Sequence, residues 1–216
     1  MPDWDEDSPA LLRNLTEVLR ALRESARRRQ PPSVEDARVW HKATMAGLDV
    51  EHKEFAGGFR GEGGELKNYR VEIDGLEGVL PEHVAGALQN FERRLRQTLR
   101  TLDIAYPQGA ALDVDGLGAV LEVAAWAHAE WVRIHPFANG NGRTARLWAN
   151  FILMRYGLPP VVRLRPRPDR SYGDAAAQAM HGDWQPMIAV FHDMLQNHLR
   201  DDAPKSMSTR TPTRSK

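Results

Sequence analysis

Apolar positions along this chain fall mostly at helical spacing. Leu11, Leu12, Leu15, Val18, Leu19 and Leu22 recur every three or four residues, the stripe of an amphipathic helix. Ser8-Pro9 supplies its start: a capping side chain, then a proline where the missing N–H is not needed. Arg27-Arg28-Arg29 put cations at the far end, and Pro31-Pro32 stop the helix. Ser33 can cap a second helix that carries Trp40 and Met45 and closes at Gly47. Pro81 opens a third through Leu88, Phe91, Leu95, Leu99 and Leu102. A fourth runs from Asp115 to Ile134, with Leu117, Val120, Leu121, Ala124 and Trp131 on one stripe. His128 shares that stripe, so it is expected in the core. A fifth spans Asn141 to Tyr156, ahead of Gly157 and Pro159-Pro160. Two further helices fit "SYGDAAAQAM" and "DWQPMIAVFHDMLQNHL".

Two stretches depart from this period. Residues 55–68, "FAGGFRGEGGELKN", are too glycine-rich for regular helix. In "YRVEIDGLEGVL", Tyr69, Val71 and Ile73 alternate with Arg70, Glu72 and Asp74, and Asp74-Gly75 is a turn dipeptide. A short β-hairpin is expected there. The tail from Asp201 to Lys216 is rich in Ser, Thr, Pro, Lys and Arg and is expected to be disordered. The pattern therefore predicts a mainly α protein with one hairpin: an N-terminal helix and linker over 1–32, a helical domain over 33–200, and a basic tail over 201–216.

Composition narrows the function classes. The 29 basic and 29 acidic residues balance, so net charge argues for neither a nucleic-acid nor a membrane partner. Cysteine is absent, which excludes disulfides and thiolate metal sites. No apolar run approaches the roughly 20 residues of a membrane span. The first ten residues, "MPDWDEDSPA", lack the basic and apolar regions of a secretory signal, so a cytoplasmic location is expected. His41, His52 and His83 have no spacing that implies a metal. "RLRPRPDR" places Arg163, Arg165, Arg167 and Arg170 in a proline-broken loop, either solvated or in contact with a nucleotide or an acidic partner.

The chemistry gathers in "HPFANGNGRTAR", residues 135–146. Gly140 and Gly142 permit backbone conformations that aim successive N–H groups at one point, an anion-binding nest. A helix begins there, and its positive end adds to the same field. Arg143 and Arg146, three apart, share one helix face and can grip phosphate oxygens in bidentate fashion. His135, just upstream, carries a ring suited to general-base work near neutral pH. Phe137 is expected to anchor the loop in the core. Base, cradle and cations together are most of what phosphoryl or nucleotidyl transfer requires.

This spacing resembles the Fic family, whose motif reads His-x-Phe-x-(Asp/Glu)-Gly-Asn-Gly-Arg-x-x-Arg. His135, Phe137, Gly140, Asn141, Gly142, Arg143 and Arg146 all match it, and at about 5% per position chance agreement is negligible. "FAGGFRGE" and the hairpin look like the approach to the family's flap. "RLWANFILMRYGLPPV" and "YGDAAAQAMHGDWQPM" look like its continuation, so the likeness covers residues 33–200.

The resemblance implies a Fic-like helical bundle with a hairpin flap. It implies AMP transfer from ATP to a Ser, Thr or Tyr hydroxyl of a target protein, with magnesium as the cofactor. His135 would be the base, and Asn139, Gly140, Asn141 and Gly142 would hold the phosphates. Arg143 would neutralise the leaving group and Arg146 would reach the γ-phosphate; His135, Asn141 and Arg143 make up the catalytic set. Tyr69, Val71, Ile73, Gly75 and Val79 would form the flap that docks the target. Asn139 stands where the family has a metal-binding acid, and it keeps a carbonyl oxygen without the charge, so weaker metal dependence or altered activity is expected. Magnesium could still hold on through phosphate oxygens and water. No Ser or Thr is followed four residues later by Glu, so the family's inhibitory motif is missing, and inhibition, if any, is expected from a separate antitoxin-like chain or from a different element. Alternatives that share the loop are phosphate, other nucleotide or phosphocholine transfer, and a non-catalytic binding module.

Overall fold

In the computed structural model, which describes residues 8–73 and 75–201, those residues form seven helices and one small hairpin. Helix α1 (Pro9–Arg27) starts as its sequence dictates, with the Ser8 hydroxyl accepting from the Leu11 N–H at 3.1 Å. Such a cap is worth about 1 kcal/mol. Leu11, Leu15, Val18, Leu22 and Ala26 form its buried face. Helix α2 (Val34–Thr44) opens with a capping box in which Asp36 answers Ser33. It closes three residues before the expected Gly47, because Asn14 of α1 caps its end, donating to the Thr44 and Ala46 carbonyls at 3.0 and 2.8 Å.

Helices α3 (Pro81–Ala105), α4 (Val114–Ile134), α5 (Asn141–Arg155), α6 (Arg170–Met180) and α7 (Gln185–Asp201) complete the bundle. The single stripe expected of α4 is too narrow. From Val120 to Val132 nearly every residue is buried, because α3, α5, α6 and α7 all pack against it. A helix enclosed on all sides needs no polar face. Helix α5 is equally enclosed and also meets α1 and α2. Trp148 of α5 sits among Trp40, Phe91, Trp131 and Phe151, with ring centroids 4.7–6.0 Å away. This aromatic centre holds α4 and α5 at the depth where the loop between them emerges.

An ionic tie fixes the opposite end of the bundle. Asp103 of α3 accepts from Arg155 through both oxygens, at 2.5 and 3.2 Å, and from the Tyr156 hydroxyl at 2.9 Å. Arg29 joins it at 3.3 Å. Burial and the adjacent Asp103 charge push the Tyr156 hydroxyl pKa above its ordinary range.

Between α2 and α3 the chain makes two short 3-10 turns, Lys53–Phe55 and Gly64–Leu66. The expected hairpin follows, reduced to β1 (Glu72–Ile73) and β2 (Leu76–Glu77) in antiparallel register, Ile73 opposite Leu76. Gly75 takes φ +81°, as a turn of this kind requires. So small a sheet cannot hold itself, and Glu72 opposite Glu77 sets like charges against each other. The expected turn residue Asp74 and the tail beyond Asp201 lie outside the described residues. No helix among those residues is long and apolar enough to cross a membrane.

Candidate active site

His135 is the residue at which α4 ends. Its backbone is left-handed, φ 53° and ψ 56°, so the chain turns sharply out of the helix. The ring Nδ1 lies 3.0 Å from the Val132 carbonyl oxygen. A carbonyl can only accept, so Nδ1 carries the proton and Nε2 is left with the lone pair. Burial, and secondarily the positive charge of Arg60, lower the imidazole pKa to about 4, against the pull of the Val132 hydrogen bond. At neutral pH the ring is therefore an uncharged base.

The loop after His135 is closed by its own side chains. Phe137 is fully buried, stacked on His41 at 3.8 Å and flanked by Phe59 and Trp131. Asn141 clamps the Phe137 peptide from both sides: its Nδ2 donates to the carbonyl at 2.8 Å and its Oδ1 accepts from the N–H at 2.9 Å. That amide is thus occupied within the loop. What Asn141 can offer a ligand is its backbone N–H, which with that of Gly142 has no intrahelical acceptor in the first turn of α5. Gly140 takes φ +75° at the helix cap. A Cβ there would stand 2.9 Å from His41 Nε2 and 3.1 Å from an Arg143 nitrogen, so the tight approach demands glycine.

Two groups from the segment before α3 support the loop. His41 Nδ1 accepts from the Gly57 N–H at 3.0 Å, so its Nε2–H donates to the Asn139 carbonyl at 2.9 Å. Arg60, 1% exposed, spreads its guanidinium over four carbonyls. It donates to His135 and Ile134 at 2.7 and 3.0 Å, and to Tyr69 and Val79, at the two ends of the hairpin segment, at 3.2 and 2.8 Å. One side chain thereby ties His135 to the hairpin. Arg60 stands in "FAGGFRGE" as a lone cation amid apolar and glycine residues, and that is the signal the sequence offers for it. The position of His41 in the sequence implies no metal, and nothing in its helix betrays a partner 98 residues away.

A cleft opens over these elements. His135, the loop residues 139–143 and Arg146 form its floor, joined by Arg165, Arg167 and Tyr172. Ile73 and Leu76 of the hairpin, with Val132 and Met180, make an apolar flank suited to a flat ring. Of the expected flap residues only Ile73 lines this cleft. Tyr69 and Val79 serve as the stems Arg60 holds, and Val71 closes the hairpin base through its carbonyl, which accepts from Gly78 at 3.1 Å. Arg146 is set by the Tyr172 hydroxyl at 3.1 Å and the Leu164 carbonyl at 3.0 Å. His128 is the core histidine expected, fully buried and 2.7 Å from the same hydroxyl. The lining suits a polyphosphate but offers a divalent cation little. Among the described residues it contains no carboxylate, and the Asn139 side-chain oxygen accepts from the Gly140 N–H.

Residues 31–153 of the chain match the family described as the Fic/DOC family. A protein adenylyltransferase Fic from Drosophila erecta is 34% identical over 139 residues, which are 64% of this chain and 25% of that protein. The chain thus spans a quarter or less of the length of such curated relatives. Among solved structures, Fic-1 from C. elegans aligns with a TM-score of 0.65 at 25% identity, over 91% of this chain and 52% of that one. BepC, a Bartonella tribocorum effector protein solved with bound AMPPNP, aligns with a TM-score of 0.58 at 18% identity, over 90% of each chain. That last likeness is one of fold.

Proposed function

The chain belongs to the Fic/DOC family, and from that premise we propose that it moves AMP from ATP onto a Ser, Thr or Tyr hydroxyl of a target protein. The observation that carries this reading is the His135 tautomer. With Nδ1–H committed to Val132, Nε2 can take the proton of an incoming hydroxyl at the edge of a cationic cleft. The freed oxygen forms a bond to the α-phosphorus as the bond to the bridging oxygen breaks, and pyrophosphate leaves. The amides of Asn141 and Gly142 hold phosphate oxygens, while Arg143 and Arg146 offset the charge that develops on the leaving group. The apolar flank receives the base, and the hairpin edge offers the target backbone an added strand. A bound nucleotide in one fold neighbour agrees with this use of the cleft.

The test uses ATP labelled separately at the α and γ positions, incubated with the chain and a lysate, beside a His135→Ala control. Transfer of α label that His135→Ala abolishes supports adenylylation. Label from the γ position would instead identify a phosphotransferase, and no His135-dependent label from any donor would sink the enzyme reading. A Val71→Pro change is expected to abolish target modification while leaving ATP binding intact; equal loss of both would refute the docking role. Because the sequence holds no Ser or Thr followed four residues later by a Glu that could pair with Arg146, any restraint is assigned to a separate antitoxin-like chain. The isolated chain should then transfer without any activating substitution, and a need for one would count against that assignment.

A further inference from the structure

His128 takes no part in the transfer described above, yet it stands at the buried end of a chain of contacts that opens into the cleft. It comes from α4, Tyr172 from α6 and Arg146 from α5, and Phe191 of α7 closes the group. The imidazole is fully buried, edge-on to the Tyr172 and Phe191 rings, whose centroids are 5.3 and 5.5 Å away. Its Nε2 lies 2.7 Å from the Tyr172 hydroxyl, and the same hydroxyl lies 3.1 Å from Arg146 Nη1. Tyr172 and Arg146 both line the cleft.

The direction of each bond follows from what the groups can donate. A guanidinium only donates, so the Tyr172 oxygen accepts from Arg146 and its own proton must go elsewhere. Burial, then the Arg146 charge, lower the His128 pKa to about 3, so the ring is neutral and keeps one free lone pair. A ring proton on Nε2 would leave both the Tyr172 proton and the Nδ1 lone pair unmet. With the ring proton on Nδ1, Nε2 accepts from Tyr172 and only the Nδ1–H is orphaned; Nδ1 has no partner among the described residues. An unheld hydroxyl proton could swing towards the guanidinium and repel it, and His128 holds it on the far side. A hydroxyl that donates onward also accepts more strongly. Arg146 is only 4% exposed, and its acceptors among the described residues, the Tyr172 hydroxyl and the Leu164 carbonyl, set the plane of its guanidinium.

We propose that His128 and Tyr172 are positioning residues: the imidazole takes the Tyr172 proton, which commits the hydroxyl oxygen to Arg146 and aims that guanidinium at the phosphates of the leaving group. The proposal rests on the nucleotide reading above and adds to it two residues that act through Arg146.

Calorimetric titration of the intact chain with ATP and, separately, with AMP tests it, since AMP lacks the phosphates assigned to Arg146. Tyr172→Phe keeps the ring and removes the hydroxyl, so ATP binding should weaken by about tenfold while AMP binding stays unchanged. His128→Leu should do the same. His128→Gln restores an acceptor oxygen and should bind ATP within about twofold of the wild type. The double variant should lose no more than Tyr172→Phe alone, because the two residues act as one unit. Circular dichroism checks that every variant is folded. In Tyr172→Phe, undiminished ATP binding or an equal loss for ATP and AMP overturns the proposal and leaves the nucleotide cleft standing. A double variant whose loss is the sum of the single ones overturns it too. His128→Gln binding ATP as weakly as His128→Leu overturns the role of His128 as proton acceptor. A wild-type chain that binds no ATP removes the nucleotide reading itself.

Discussion

Arg60 and His135 are joined by a 2.7 Å hydrogen bond from the guanidinium Nε to the carbonyl of the proposed base. The same guanidinium holds the hairpin segment at Tyr69 and Val79, so base and flap share one fastening. Arg60 has carbonyls for its hydrogen-bond acceptors, and burial lowers its pKa to about 10. Lysine would keep the charge but cannot span four acceptors in a plane.

Arg60→Lys is therefore expected to act as a positioning defect. kcat for transfer should fall by about 100-fold, the cost of a misplaced reacting group, while ATP affinity stays near that of the wild type. Hydrogen exchange over residues 69–79 should rise in the same variant. A lowered ATP affinity with unchanged exchange would show that Arg60 serves the cleft directly.

His41, His128 and His135 all have lowered pKa values, to about 4, 3 and 4, each chiefly because burial disfavours the charged ring. In the unfolded chain these rings titrate at 6.5, so between pH 6.5 and 4 the unfolded state binds more protons. Stability is then full above pH 6.5 and is lost as pH falls towards 4. Urea denaturation at pH 7.5 and 5 should show this drop, and His128→Phe should flatten it. A midpoint that does not move with pH would refute the assignment. For transfer, the rate should be level from about pH 6 to 8, because the base is already neutral there.

Asp103 joins α3 to Arg155 on α5 and to Arg29 beyond α1. Asp103→Ala leaves the Arg155 guanidinium buried without its carboxylate, and a loss of about 3 kcal/mol is expected. Chemical denaturation measures it. Since this end of the bundle is remote from the cleft, ATP binding below the melting transition should be unchanged.

Gly140→Ala combines a left-handed backbone, φ +75°, with a Cβ only 2.9 Å from His41 and Met45. The conformation alone costs about 1–2 kcal/mol, and relief of the contacts must move the loop. ATP affinity should fall by about tenfold or more, since the first-turn amides would no longer point to one place. Gly142→Ala is expected to be milder, because its nearest neighbour is the end of the Arg146 side chain at 3.3 Å.

Much of this was legible in the chain itself. The caps at Ser8 and Ser33, the prolines that open α1 and α3, and the 3.6-residue stripes are local signals, and the helices obey them. The spacing of His135 to Arg146 already sets these residues side by side, because a turn between two helices brings them together whatever else the fold does. Tertiary structure decided the rest. Burial of α4 on all sides depends on four other helices. The Asn141 side-chain amide closes on Phe137 and leaves only its backbone N–H to face a ligand, a choice made by the path of the loop. Arg60, His41 and the pair Arg165 and Arg167 reach the site from segments distant in sequence, and periodicity carries no information about such meetings. Local order follows from each residue's own backbone preferences, whereas a site assembled from four segments exists only once the core has fixed where their side chains can meet.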